Sequence, residues 1–179
     1  MRRRAVTSSG RGADALTELR DAFDRAFSEA PGTGAPDAAN VLALAAGAES
    51  YLVRMAEVSG LFADKNITRL PGSVPELLGI AGFRGTILPV YDLAMLLGVR
   101  RTGRPRWLIT AGAAPLALAF ERFDGYVQAP GGDVLASGSN DVRQHVREVV
   151  RTADVQRPLI SLASVVDQIR QLAATDRQE

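Results

Sequence analysis

Cysteine is absent from this chain, which excludes a disulfide framework, a thiolate metal site and a cysteine nucleophile. A single histidine, His145, has Glu148 one helical turn later and no further ligand nearby, too few groups for a metal centre. It reads as an exposed loop or helix position, and an enzyme acting through it is the weakest of the functional alternatives. Lys65 is the one lysine, so arginine carries nearly all the positive charge, a pattern better explained by codon bias than by phosphate recognition. The formal net charge is +1, leaving no field suited to nucleic acid or to an acidic membrane surface. Aromatic residues are few and do not interleave with basic ones as a base-stacking surface requires. No apolar run approaches the ~20 residues needed to cross a bilayer, and no signal-peptide core follows Met1-Arg2-Arg3-Arg4. These absences predict a soluble cytoplasmic protein with no membrane insertion and no cofactor.

Catalytic wording is missing as well. There is no nucleophile elbow, no phosphate loop and no dinucleotide fingerprint. Gly79, Gly82 and Gly85 are evenly spaced, but they surround a turn between strands, whereas a phosphate loop opens into a helix. Asp92 and Asp124 stand alone, and Asp92 reads as a helix cap.

What is present is short-strand patterning. Hydrophobic residues make up 46% of 179, enough for one ordinary domain or two very small ones. Met1 to Asn40 forms a separate extension: Leu16, Leu19, Phe23 and Phe27 fall on one face of an amphipathic helix, followed by a flexible break from Pro31 to Pro36. That helix packs back on its own domain or serves as an arm, the former being the plainer expectation. Val41 to Leu44 and Tyr51 to Met55 read as a hairpin, and Ala56 to Phe62 is ambiguous, a turn of helix being its reading. Asn66 to Leu70 reads as a strand, and the Ser73–Glu76 spacing predicts a helical turn through Leu77 and Leu78. Thr86 to Tyr91 is a strand whose Pro89 belongs at an edge or bulge.

Arg100, Arg101, Arg104 and Arg106 crowd a link broken by Gly103 and Pro105, more simply a solvated linker than a site for an acidic partner. Trp107 to Thr110, Leu116 to Phe120 and Gly125 to Gln128 are further strands, with Trp107, Phe120, Phe123 and Tyr126 expected in the core. Pro130 to Asp141 reads as a loop. Glu148 to Thr152 and Pro158 to Ile160 form a last strand pair, before a helix with Val165, Ile169 and Leu172 on its apolar stripe. One echo stands out: Pro89 to Leu97 aligns without gaps on Pro158 to Val166, each a proline-marked strand, a side-chain cap and a helical turn. It suggests two similar halves and, with so many short strands, small barrels.

The stretch Gly79 to Gly98 resembles the signature hairpin of the CheW-like coupling proteins of bacterial chemosensory arrays. Gly79, Arg84, Gly85, Pro89, Val90, Asp92 and Leu93 fall in register with that signature, and Phe83 replaces its usual leucine. The resemblance implies a mainly β fold of two SH3-like barrels, about 41–98 and 106–158, with a terminal helix about 161–173 folding back. It implies a non-enzymatic adaptor that binds the regulatory domain of a chemotaxis-type histidine kinase. A groove between the barrels would take the chemoreceptor tip. Carried over by register, Val58, Gly60, Gly82, Phe83, Arg84 and Gly85 form the receptor face, while Gly79, Pro89, Asp92, Leu93 and Gly98 shape the motif. The family often has glutamate where this chain has Gly60, and asparagine where it has Gly82. The other classes are a kinase-only regulator of the same family and an SH3-like binding module or structural subunit in an unrelated complex.

Overall fold

A computed structural model of the chain describes residues 39–71, 74–129, 134–136, 145–152 and 155–175. The expected N-terminal amphipathic helix, residue Ser73 and most of the predicted 130–141 loop lie outside the described residues. Two antiparallel-rich sheets make up the fold. In chain order the strands are β1 (Ala39–Ala46), β2 (Glu49–Arg54), β3 (Val58–Ala63), β4 (Leu77–Phe83), β5 (Thr86–Asp92) and β6 (Trp107–Ala111). They continue as β7 (Ala117–Phe120), β8 (Arg122–Ala129), β9 (Val134–Ala136), β10 (Val146–Thr152) and β11 (Val155–Ile160). Helix α1 (Leu93–Leu96) follows β5, and α2 (Leu162–Thr175) follows β11. A single 3-10 turn, Met55–Glu57, joins β2 to β3 and resolves the ambiguity of that region into a turn and a strand.

The sheets do not divide along the chain as consecutive barrels would. The six-stranded sheet runs β8-β1-β2-β11-β10-β9 and the five-stranded sheet runs β3-β6-β7-β5-β4. The boundary expected between residues 98 and 106 therefore gives way to an exchange. Hairpin β1–β2 is completed by strands from the second half, and hairpin β6–β7 by strands from the first. The echo explains how. Val90 pairs in parallel with Ala117 and Tyr91 with Leu118, while Leu159 pairs in parallel with Leu52 and Ile160 with Val53. Following the ladders outward, Thr110 corresponds to Ala43 and Gly60 to Gly125. Both glycines sit beside a bulge in the strand that borders the hairpin.

Local chemistry fixes both echoed units. The Asp92 carboxylate accepts a hydrogen bond from the Met95 N–H at 3.3 Å, and the Ser161 hydroxyl oxygen accepts one from the Ser164 N–H at 3.3 Å. After α1, Gly98 takes φ +67°, and the N–H groups of Gly98 and Val99 bond back to Met95 and Ala94. Pro89 lies in an interior strand, between β7 and β4, rather than at the expected edge or bulge. It pairs with Ile80 one residue before the parallel β7 ladder begins at Val90, so its missing N–H interrupts no bond in that ladder.

Three apolar clusters hold the architecture together. The largest lies between the sheets and receives Leu42 and Leu44 from β1, Ile109 and Leu118 from the other sheet, Leu93 from α1 and Val165 from α2. Val41, Ala43, Leu52, Val150 and Leu159 form a second cluster, and Ala81, Phe83, Val90, Leu108 and Ala119 a third. Strand β1 is buried on both faces, which accounts for its unbroken apolar wording. Among the described residues no ladder closes either sheet into a complete barrel.

Four local expectations change. Leu77 and Leu78 open strand β4 instead of a helical turn, because their backbone pairs with β5. The Asn66–Leu70 strand shrinks to one bridge, Thr68 to Ile80, at the place β9 occupies on the other sheet. Tyr126 is exposed, since β8 alternates at a sheet edge, while Trp107 and Phe123 are half-buried and only Phe120 is a full core residue. His145 is buried, held beneath α2.

Gly79 is the position where side-chain absence matters most. Its φ is +139°, and a Cβ there would lie 2.1 Å from the Thr68 carbonyl oxygen, a backbone atom. Gly79→Ala should therefore destabilise the protein by more than about 2 kcal/mol in urea unfolding. An unchanged midpoint would show that the Thr68 bridge carries no constraint.

Candidate functional site

Strands β4 and β5 meet in a two-residue turn, closed by the pair Phe83 and Thr86. Arg84 has φ +47° and Gly85 φ +85°, the paired positive angles of a type I′ hairpin, whose twist matches that of the strands. Glycine takes this conformation freely. Arginine does not, at a cost of about 1 kcal/mol, and such strain often marks a functional position. Arg84 is exposed and makes no ion pair among the described residues.

Behind the turn is a small concavity of about 220 Å³, lined by Ser59, Phe62, Phe83, Arg84, Leu88 and Thr110, among others. It lies at the seam where the two edge strands of the five-stranded sheet, β3 and β4, approach without pairing. Phe62 and Phe83 fill that seam edge to face, their ring centroids 4.9 Å apart. The Lys65 ammonium sits over both rings, 5.4 Å and 5.7 Å from their centroids. Ser59 Oγ lies 2.9 Å from Thr110 Oγ1, tying the bulge of β3 to β6.

The residues expected from the sequence are distributed unequally around this seam. Phe83 and Arg84 line the concavity, with Gly85 beside Arg84 in the turn. Gly60 adjoins it: a Cβ there would stand 2.7 Å from the Phe62 ring and 3.0 Å from Thr110 Oγ1, so the ring occupies space a side chain would need. Gly82 faces open space with nothing within 4 Å, so an asparagine would fit as readily. Val58 is set apart, half-buried against the core between the sheets. Gly79, Pro89, Asp92, Leu93 and Gly98 shape the hairpin and its capped helix. Phe62, Lys65, Ser59 and Thr110 carried no sequence signal, since only the fold brings them to the hairpin.

Asp92 is buried, and desolvation raises its pKa, opposed by the Met95 N–H bond and by the Arg101 guanidinium. Its Oδ2 lies 2.6 Å from Arg101 Nη2. A second concavity of about 420 Å³ opens where the 3-10 turn, the β6–β7 loop and α2 meet; Ala56, Ala111, Leu162 and Val166 give it an apolar lining. Glu57 at its edge accepts a hydrogen bond from the first N–H of α2 at 3.0 Å. Arg84 lines the first concavity and not this one. Among the described residues no cluster of acidic residues and histidine could hold a metal ion. No helix among them is long and apolar enough to cross a membrane.

Two exchanged sheets, an arginine hairpin with paired positive φ angles and small concavities between strands and helix define the arrangement. The CheW-like domain model matches residues 40–173, and the chain belongs to the CheW-like family. Its fold is similar to that of the scaffolding protein TtCheW from Thermoanaerobacter tengcongensis, with a TM-score of 0.63 at 19% identity. That likeness covers 69% of this chain and 88% of TtCheW. No curated protein matches the chain.

His145 supplies a pH test of how α2 is held. Its Nδ1 lies 2.9 Å from Ser164 Oγ, and its Nε2 contacts the Gln168 side-chain oxygen. That oxygen can only accept, so Nε2 carries the proton, and Nδ1 accepts from the serine hydroxyl. Burial pushes the pKa below the ordinary 6.5, partly offset by the Gln168 bond. A lowered folded-state pKa means that the unfolded chain binds the proton first. The contribution of neutral His145 is complete above about pH 6.5 and is lost as the pH falls from there towards the folded value. His145→Gln should flatten the urea-midpoint profile between about pH 7 and pH 5; an equally steep profile would assign the pH dependence to other groups.

Proposed function

We propose that this protein is a non-enzymatic adaptor of a bacterial chemosensory complex, coupling chemoreceptors to a CheA-type histidine kinase in the cytoplasm. Family membership supports the class, and the observation that carries the site is Arg84, an exposed arginine held in a strained conformation at the lip of an apolar seam. A planar guanidinium there can make paired hydrogen bonds to a carboxylate or to backbone carbonyls at the receptor tip. Phe83 and Phe62 supply the apolar ground beside it, and such small clusters carry most of the energy of an interface. The kinase regulatory domain would dock elsewhere, leaving the hairpin open to the receptor.

A second reading, a family member that binds the kinase alone, has Gly60 in its favour, because the Phe62 ring lies where a glutamate side chain would begin. Calorimetric titration of the protein into a CheA-type regulatory domain, with and without a receptor tip fragment, separates the two. Saturable binding to both partners is expected, and binding to the kinase alone would establish the second reading. Arg84→Gly should weaken the receptor arm about tenfold while raising stability by up to about 1 kcal/mol, since glycine relieves the left-handed strain. Unaltered receptor binding in Arg84→Gly would remove this arginine from the site.

A further inference from the structure

The arginine-rich link between α1 and β6 is not a free tether. The Asp64 N–H donates to the Arg106 carbonyl at 2.9 Å, and the Arg106 guanidinium returns a forked bond to the Asp64 carboxylate, at 2.8 Å and 2.9 Å. Arg101 is anchored to buried Asp92. On the opposite wall, two backbone bonds between Thr68 and Ile80, 2.8 Å and 2.9 Å, hold the segment that carries Arg69. Between the walls runs a groove of about 570 Å³. Lys65, Arg69, Arg101, Arg104 and Arg106 line it, with Asp64 as the one carboxylate in the lining. Asp64 is engaged by Arg106. Arg69 and Arg104 have no carboxylate partner among the described residues. In a chain with formal net charge +1, this is a marked local excess of positive charge.

We infer that this groove binds an acidic segment of a partner protein, its carboxylates on the cationic walls and its apolar side chains on the apolar lining. Ile67, Leu78 and Pro105 give the groove an apolar part to its lining, which suits a peptide better than an inorganic anion. The cations come from two separated segments, Lys65 and Arg69 from one and Arg101, Arg104 and Arg106 from the other. A nucleic-acid strand would need exposed rings for stacking. No aromatic residue lines this groove, and the nearby Phe62 and Phe83 lie beneath Lys65. The inference does not rest on the receptor reading: Arg84 does not line the groove, and Lys65, over the Phe62 and Phe83 rings, is the residue the two regions share.

The full chain can be titrated against a fluorescein-labelled peptide of alternating glutamate and leucine, with anisotropy as the readout. Saturable binding is expected, weakening steeply as salt is raised. Arg69→Ala combined with Arg104→Ala should lower the affinity at least about tenfold. Its melting temperature should equal or exceed the parent's, because two crowded cations are removed. Equal binding by the double variant would overturn the inference, as would equal binding of a lysine-for-glutamate peptide. Competition by inorganic phosphate or by single-stranded DNA at matched charge would reassign the groove to phosphates. A lower melting temperature would show that the two arginines serve the fold.

Discussion

The parallel pairings, Val90 to Ala117 and Leu159 to Leu52, are the constraint on which the remaining structure depends. Each joins a strand–cap–helix unit from one half of the chain to a hairpin from the other. Parallel neighbours cannot be linked by a tight turn, so each pairing is closed by contacts far apart in sequence. Because both sheets are completed this way, neither half can finish a sheet alone. The core between the sheets draws on both hairpins and both helices, so its burial stabilises the exchange itself. Asp92 and Ser161 then do equivalent work at corresponding places, ending a strand and starting a helix with one side chain each.

That arrangement explains which parts of the sequence could be read. Gly79 to Gly98 was legible through its resemblance to a family hairpin and because several of its residues answer short-range demands of turn and cap. Gly79 clears the Thr68 carbonyl, Gly85 takes the left-handed turn, Asp92 caps a helix, and Gly98 ends it. The echo between Pro89 and Pro158 was legible for the same reason. Strand exchange was not, because a repeat shows that two units are alike without showing which hairpin each unit completes. Leu77 and Leu78 misled because a capping-box spacing is local, whereas the pairing of β4 with β5 decided their state. His145 misled because polar partners one helical turn apart, Ser164 and Gln168, made burial affordable for it.

The candidate site was half legible. Arg84 and Phe83 sit in a turn whose wording is local, but their neighbours arrive from strands far away in the chain. Phe62 reaches the hairpin only because the edges of β3 and β4 converge without pairing, and Lys65 follows it. The basic groove shows the same division. Its lower wall is a run of arginines visible in sequence, while Lys65 and Arg69 join them only through the fold. A reading of the run alone favours solvent, because nothing in it reveals the opposing wall.

Gly60 and Gly82, where the resemblance implies a glutamate and an asparagine, bear on the seam in different ways. At position 82 the space is open, so the loss of an amide costs no packing. At position 60 the Phe62 ring fills the space a side chain would need, with Lys65 above it. The residues lining that concavity then include Arg84 and no acidic group at all. An arginine facing a glutamate across a shared groove has part of its charge neutralised within the molecule. Here no acidic side chain in the lining offsets the Arg84 guanidinium, and Lys65 adds a second cation near the same rings. Under the proposed adaptor reading, such a face would favour carboxylate or carbonyl oxygen over cationic surfaces, while the hairpin that presents Arg84 keeps its geometry.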